Sequence, residues 1–408
     1  MSARILLVFS VVYAGMLLGR LPRLQLDRTG VALLGAIVLV AGGDVALAEA
    51  ARAVDGPTMA LLFALMVLSA QLRLGGFYTR ISLGLAGRAL PPAALLLVLV
   101  LTVGLLSAVF TNDVVCLAVA PVTIDVCRRR GLDPVPFLLG VACASNVGSA
   151  ATLIGNPQNI LIGQSLRLSF GDYLALAGPP AALGLLAVWG IVAFQCRRDW
   201  RHRLGEGGSV GVGLPSPAFD RWQTAKGLAV AGVLLLAFLF TSWPRELVAL
   251  GGAGLLLCSR RLQSRDMLSL VDWHLLVLFA GLFVVNDALA RTPVLPGIVD
   301  GLASRGLDPA QPAWLFASSV VLSNVVSNVP AVMLLLSLAQ GAWTGPVLAL
   351  SSTLAGNLLA VGSVANLIVL DAAARGGCAI GWRRHAWTGV PVTLATLAIA
   401  AAWLAWRA

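Results

Sequence analysis

Apolar runs recur along the whole chain, separated by short polar loops. A bilayer-crossing helix needs roughly 17 to 25 mainly apolar residues. By that measure the pattern predicts crossings at Ile5–Leu18, Gly30–Ala46, Pro57–Leu72, Phe137–Leu166, Tyr173–Cys196, Gly227–Phe240, Leu247–Cys258, Trp273–Leu289, Val347–Asp371 and Ala386–Ala405. Two further stretches, Pro91–Val126 and Pro312–Leu338, are too long for one helix and carry a polar tip midway, which predicts re-entrant hairpins. The one extended polar stretch, Arg197–Trp222, contains GEGGSVGVGLPSP, the composition of a flexible connector. The expected organisation is therefore a first transmembrane repeat at 1–196, a cytoplasmic linker at 197–222 and a second repeat at 223–408.

The two halves resemble each other. Asp55 and Asp272 open matching helices, and Leu62-Phe63 recurs as Leu278-Phe279 at nearly the same separation. At the hairpin tips Ser107, Thr111 and Asn112 correspond to Ser323, Ser327 and Asn328; further on, Gly155 and Asn159 correspond to Gly362 and Asn366. Basic residues set an orientation, because cytoplasmic loops hold an excess of Lys and Arg. Arg73, Arg80 and Arg88 precede the first hairpin and Arg128, Arg129 and Arg130 follow it, so both its ends are expected in the cytoplasm. The second hairpin has Arg291 and Arg305 before it and no basic residue directly after it, so it is expected to open outward. With five crossings per half, the second repeat is inverted relative to the first. The predicted fold is all-α and polytopic: two inverted-topology repeats of about five transmembrane helices, each with a re-entrant helical hairpin and a broken helix.

Composition agrees. The 408 residues are 59% hydrophobic and 11% charged, against roughly 25% charged in soluble domains, and the mean hydropathy is +0.91. The net charge of +10 sits in loop arginines that membrane orientation explains, and no basic patch is interleaved with aromatics, so nucleic acid is not an expected partner. The six cysteines lack C-x-x-C spacing and read as packing residues. The three histidines fall at helix edges or in loops and form no zinc pattern.

Polar breaks within apolar runs need a reason, because non-helical backbone persists in hydrocarbon only where protein, water or ligand satisfies it. Phe110–Asp113 (FTND) and Ser323–Pro330 (SNVVSNVP) form the hairpin tips, either capped turns or ion-holding helix ends. GNPQN at Gly155–Asn159 and GSVAN at Gly362–Asn366 break crossing helices near the midplane. There the freed carbonyls, with Asn156, Asn159, Ser363 and Asn366, would offer oxygen ligands to sodium or donors to an oxyanion. The alternative is a kinked helix packed through Gly148, Ser149, Ala150 and Ala151. Asp113 is an intramembrane carboxylate without a basic partner nearby in sequence, which points to protonation or cation binding, or else to a cap reached by cytoplasmic water. Its partner position holds Val329. Asp125, Asp287 and Asp371 lie near membrane edges and read as solvated.

On TND at the first hairpin, ATLIGNPQN at Ala151–Asn159, SNV at Ser327–Val329 and the second-half GSVAN, the chain resembles the ion transporter superfamily over nearly its whole length. That superfamily includes arsenite permeases, Na⁺/H⁺ antiporters of the NhaD type, citrate transporters and divalent-anion/sodium symporters. The resemblance implies substrate and coupling ions held between two hairpin tips and two broken helices, and a homodimer. In dicarboxylate symporters both tips typically read Ser-Asn-Thr, whereas here they read Thr111-Asn112-Asp113 and Ser327-Asn328-Val329. The acidic tip resembles the arsenite permease and antiporter branches more closely.

The expected function is a secondary active permease for a small inorganic or organic anion, driven by a proton or sodium gradient, in the cytoplasmic membrane of a bacterium. Thr111, Asn112, Asp113, Gly155, Asn156 and Asn159 would form one half-site and Ser327, Asn328, Gly362, Ser363 and Asn366 the other, with Na⁺ as the candidate metal there. Na⁺/H⁺ antiport at the same site is the alternative; a citrate or dicarboxylate carrier, a channel and an intramembrane enzyme follow. The enzyme reading lacks H-E-x-x-H, G-x-S-x-G and paired intramembrane acids. No organic cofactor is expected, because no nucleotide-binding loop is present.

Overall fold

The computed structural model describes residues 2–19, 25–86, 90–203, 219–294, 297, 301, 304, 306, 308, 311–337, 341 and 343–407. The expectations for Arg88, Arg305, Leu338 and the linker stretch 204–218 lie outside the described residues.

The first half runs α1 (Ser2–Leu18), α2 (Arg28–Ala41), α3 (Leu47–Ala53), α4 (Gly56–Leu74), α5 (Phe77–Ala86), α6 (Pro92–Val109), α7 (Asn112–Arg129), α8 (Pro134–Ser149), α9 (Pro157–Ser165) and α10 (Phe170–Arg203). The second runs α11 (Arg221–Phe240), α12 (Arg245–Leu257), α13 (Ser264–Ser269), α14 (Trp273–Ala290), α15 (Pro312–Val326), α16 (Asn328–Leu336), α17 (Thr344–Ala355), a 3₁₀ turn (Ala360–Gly362), α18 (Val364–Arg375) and α19 (Trp382–Arg407). Among the described residues six helices are long and apolar enough to cross a membrane: α4, α6, α10 through Arg198, α11, α14 and α19. Helix α10 continues to Arg203, beyond the expected end of that crossing at Cys196.

The order of elements recurs between the halves. Starts pair at Arg28 and Arg245, Leu47 and Ser264, Gly56 and Trp273, Asn112 and Asn328, and Pro157 and Val364. Local chemistry recurs with them. Asp55 caps α4 by accepting the Thr58 amide at 3.0 Å, and Asp272 caps α14 by accepting the Leu275 amide at 3.0 Å. Both hairpins are present, α6–α7 and α15–α16, and both long crossings are broken, between α8 and α9 and between α17 and α18. Asn112 donates its backbone N–H to Gly155 O at 3.0 Å, which sets the first tip level with the first break.

Burial is inverted relative to a soluble protein. Leu105 is 68% exposed, Val233 63% and Phe194 62%, whereas Asn159, Asn357, Asn366, Ser351 and Ser352 are wholly buried. An apolar exterior around a polar centre suits a bilayer. Close helix approach depends on glycine at the crossing of α6 and α8, where a Cβ at Gly148 would lie 2.2 Å from Gly104 O. This is the small-residue contact expected around Gly148, and it coexists with the helix break instead of replacing it.

Candidate functional site

Four helices begin inside the bundle at the tips and breaks, and their N-caps are Thr111 (α7), Asn156 (α9), Ser327 (α16) and Ser363 (α18). A helix start carries unpaired amides and partial positive charge. Only Asn156 caps its own helix, with Oδ1 accepting the Asn159 amide at 2.9 Å; Thr111, Ser327 and Ser363 make no such side-chain bond. Ser327 also adopts φ +78°, a conformation that costs a non-glycine residue about 1–3 kcal/mol and clusters at functional sites. Thr111 sits at φ −60°, so the two tips differ.

A buried amide and hydroxyl network ties these starts together across the halves. Asn146 Oδ1 accepts from Asn112 Nδ2 at 3.1 Å and Ser363 Oγ at 2.9 Å, while its Nδ2 donates to Asn357 Oδ1 at 2.8 Å and Asn366 Oδ1 at 3.2 Å. Thr353 occupies the matching position in the second half. Its Oγ1 accepts from Asn156 Nδ2 and Gln158 Nε2, each at 3.2 Å, and donates to Asn159 Oδ1 at 3.2 Å. The contacts are reciprocal: Asn146 holds Ser363 and Asn366, and Thr353 holds their counterparts Asn156 and Asn159. With its amide turned to match its neighbours, Asn328 donates to Gly362 O at 3.2 Å and Ser352 O at 3.1 Å and accepts from Gln158 Nε2 at 3.3 Å. Asn159 Nδ2 additionally donates to Thr152 O at 2.9 Å, and Asn366 Nδ2 to Gly356 O at 2.8 Å.

Several buried oxygens near the tips have no partner: Ser107 Oγ, Thr111 Oγ1 and Asn112 Oδ1 in the first half, and Ser319 Oγ, Ser323 Oγ and Asn324 Oδ1 in the second. Ser107 and Ser323 are repeat counterparts. Buried polar atoms are normally paired, with protein, ordered water or a bound species, and these oxygens have no protein partner. Gly155 and Gly362 keep the chain close at this point; a Cβ at Gly155 would lie 2.4 Å from Ser149 O and 2.7 Å from Ser107 O.

Asp113 stands apart from this network. It lines a cavity of ≈ 100 Å³ together with Thr111 and Pro157 on the inner side and Arg73 and Asp272 toward the surface. Arg73 thus shares a space with the carboxylate that has no basic neighbour in sequence; read only as an orientation signal, it also reaches the vestibule from the end of α4. The reading of the sequence also misses Asn146, Thr353, Gln158 and Asn357. The signal that would have found two of them is repeat position, because Asn146 and Thr353 are polar at matching places in apolar helices. Asp125 and Asp371 are exposed as expected, and Asp287 pairs with Arg291 at 2.7 Å.

The model of the CitMHS family, described as a citrate transporter, matches residues 5–346. The chain belongs to this citrate transporter family. Relatives extend the match along nearly the whole length of this family member. The 46 kDa membrane protein of Mycobacterium leprae is 30% identical, covering 99% of this chain and 98% of the relative. The inner membrane protein YbiR of Escherichia coli is 32% identical over 84% of this chain and 86% of its own length. The silicon efflux transporter LSI3 of Oryza sativa subsp. japonica is 28% identical over 93% and 92%. Among solved structures, the YdaH transporter of Alcanivorax borkumensis, whose topology is described as unusual, matches with a TM-score of 0.55 at 17% identity, covering 99% of this chain and 97% of that one. That likeness speaks to fold alone. This citrate transporter family member is an integral membrane protein and a membrane transporter of all-helical build.

Proposed function

We propose that the protein is a secondary active carrier for a small oxyacid or its anion, of the arsenite/anion permease type, coupled to a proton or sodium gradient across a bacterial cytoplasmic membrane. The observation that carries this reading is the meeting of four helix starts in one buried amide and hydroxyl network, with Asp113 in a vestibule alongside it. Unpaired helix-start amides donate to oxyacid oxygens, and the unpartnered hydroxyls of Ser107, Thr111 and Ser323 complete a site rich in both donors and acceptors. Among the described residues the fully buried polar groups are Ser, Thr, Asn, Gln and His, with no Lys or Arg. Such a site suits a neutral or singly charged oxyacid better than a tricarboxylate, which would need cations brought in with it. The silicon named for LSI3 is carried in water as a weak oxyacid of that kind. Inverted repeats would let each hairpin gate its own side as the halves rock.

A second reading, Na⁺/H⁺ antiport, draws support from the unpartnered oxygens of Ser107, Thr111 and Asn112, since hard cations take oxygen ligands. The test is flux in proteoliposomes under an imposed pH or sodium gradient, with arsenite, silicic acid, citrate and sodium as probes, comparing the parent with Asp113→Asn. Proton-driven movement of an oxyacid that disappears in the variant supports the carrier; competition between sodium and protons with no oxyacid movement supports the antiporter. Parent-like coupling in Asp113→Asn overturns the role given to that residue.

A further inference from the structure

Asp272 is exposed and lines the vestibule with Arg73 and Asp113. As the N-cap of α14 it uses Oδ1 on the Leu275 amide at 3.0 Å. Asp55 caps α4 in the same way at 3.0 Å, yet is not among the residues that line this cavity. Capping therefore explains a short polar side chain at 272 but not its opening into the space that holds Asp113. Around that space the charged groups are Arg73 from α4, Asp113 from α7 and Asp272 from the start of α14; α9 contributes Pro157 and α18 contributes Ile368. Among the described residues Arg73 lines the same cavity as the two carboxylates without forming an ion pair with either Asp113 or Asp272, so neither carboxylate is locked to it. A cavity of ≈ 100 Å³ has room for several waters.

We infer that Asp272 is the outer station of a proton path: it takes a proton from water at the vestibule mouth and passes it through vestibule water to Asp113, returning to its anionic form. Asp272 thereby acts as a relay and positioning residue for the coupling step. This rests on the reading of Asp113 as the coupling group. It accounts for two acids lining one cavity, the more exposed of them at the start of α14, an arrangement that chains of acids use to move protons in transporters.

The test is a pH jump on the full chain reconstituted in vesicles, following the carboxyl band that time-resolved infrared spectroscopy records and that Asp113→Asn removes. Asp272→Asn keeps a good helix cap while removing the relay, and is expected to slow the appearance of that band several-fold without changing its final amplitude. Asp272→Glu should restore most of the rate, and Asp55→Asn should leave it at the parent value. An unchanged rate in Asp272→Asn overturns the relay and leaves the Asp113 reading standing. If Asp113→Asn removes no band, the Asp113 reading fails and the relay with it. A loss of final amplitude in a correctly melting Asp272→Asn also overturns the relay, because it marks a structural role.

Discussion

Asn146→Ala tests the network at its centre. The substitution removes four side-chain bonds, to Asn112, Ser363, Asn357 and Asn366, at 2.8–3.2 Å. Interhelical hydrogen bonds within membranes contribute about 0.6 kcal/mol each, so the loss comes to about 2–3 kcal/mol. Partners left buried and unpaired push it toward the upper end. If the loss falls on the substrate-bound state, affinity drops by about 30- to 140-fold, because about 1.4 kcal/mol is tenfold. Thr353→Ala removes only three bonds, all at 3.2 Å, and is expected to cost less. Thermal melting in detergent and concentration-dependent flux in proteoliposomes would be measured side by side. A parent-like Tm and flux for Asn146→Ala, or a larger loss for Thr353→Ala, refutes the placing of Asn146 at the hub.

Three further outcomes follow from single positions. Gly155→Ala places a methyl against Ser149 O and Ser107 O, and is expected to cost about 1–3 kcal/mol in melting experiments and to abolish flux; a variant that melts and transports like the parent would show that the break has room to spare. Ser327→Gly relieves the φ of +78° and should stabilise the fold by about 1 kcal/mol, read as a higher Tm, whereas a fall in Tm would mean that the conformation carries no strain. Asp220 is held below the usual carboxylate range by the amides of Gln223 and Trp222 and by Arg261. A group depressed in the folded state stabilises above its unfolded value and loses that contribution as pH falls through the folded one. Asp220→Asn, which keeps a cap acceptor, should therefore flatten the acid-side decline in Tm, and an unchanged slope would count against this.

Much of the fold is legible along the chain because the bilayer demands long apolar runs. Both hairpins and both broken helices stand out for the same reason, since Gly155-Asn156-Pro157 and Gly362-Ser363 interrupt runs that would otherwise continue. The short helices α3, α5 and α13 escape notice, being too brief for a hydropathy window to register. Asn146 and Thr353 escape it because they lie within unbroken helices, where one polar side chain disturbs neither pattern nor backbone. Only the packing of one half against the other shows what they bond. Arg73 is the converse case: a residue at a helix end satisfies the loop-charge rule so completely that nothing in the sequence asks for a second role.

The reciprocal latches also set an order of events during synthesis. Thr353 lies 194 residues after Asn159, the residue to which it donates, and chains elongate at about 5–20 residues per second, so the first half waits about 10–40 s for its partners. Throughout that interval Asn146, Asn156 and Asn159 are already committed to a crossing whose polar edge keeps its first-half bonds, to Asn112, Ser149 and Thr152, but lacks its second-half partners. Insertion must therefore keep this edge wet or shielded until the later helices arrive. A ribosome that stalls between the halves would leave in the bilayer a set of helices with an open polar seam, ready to be recognised as unfinished.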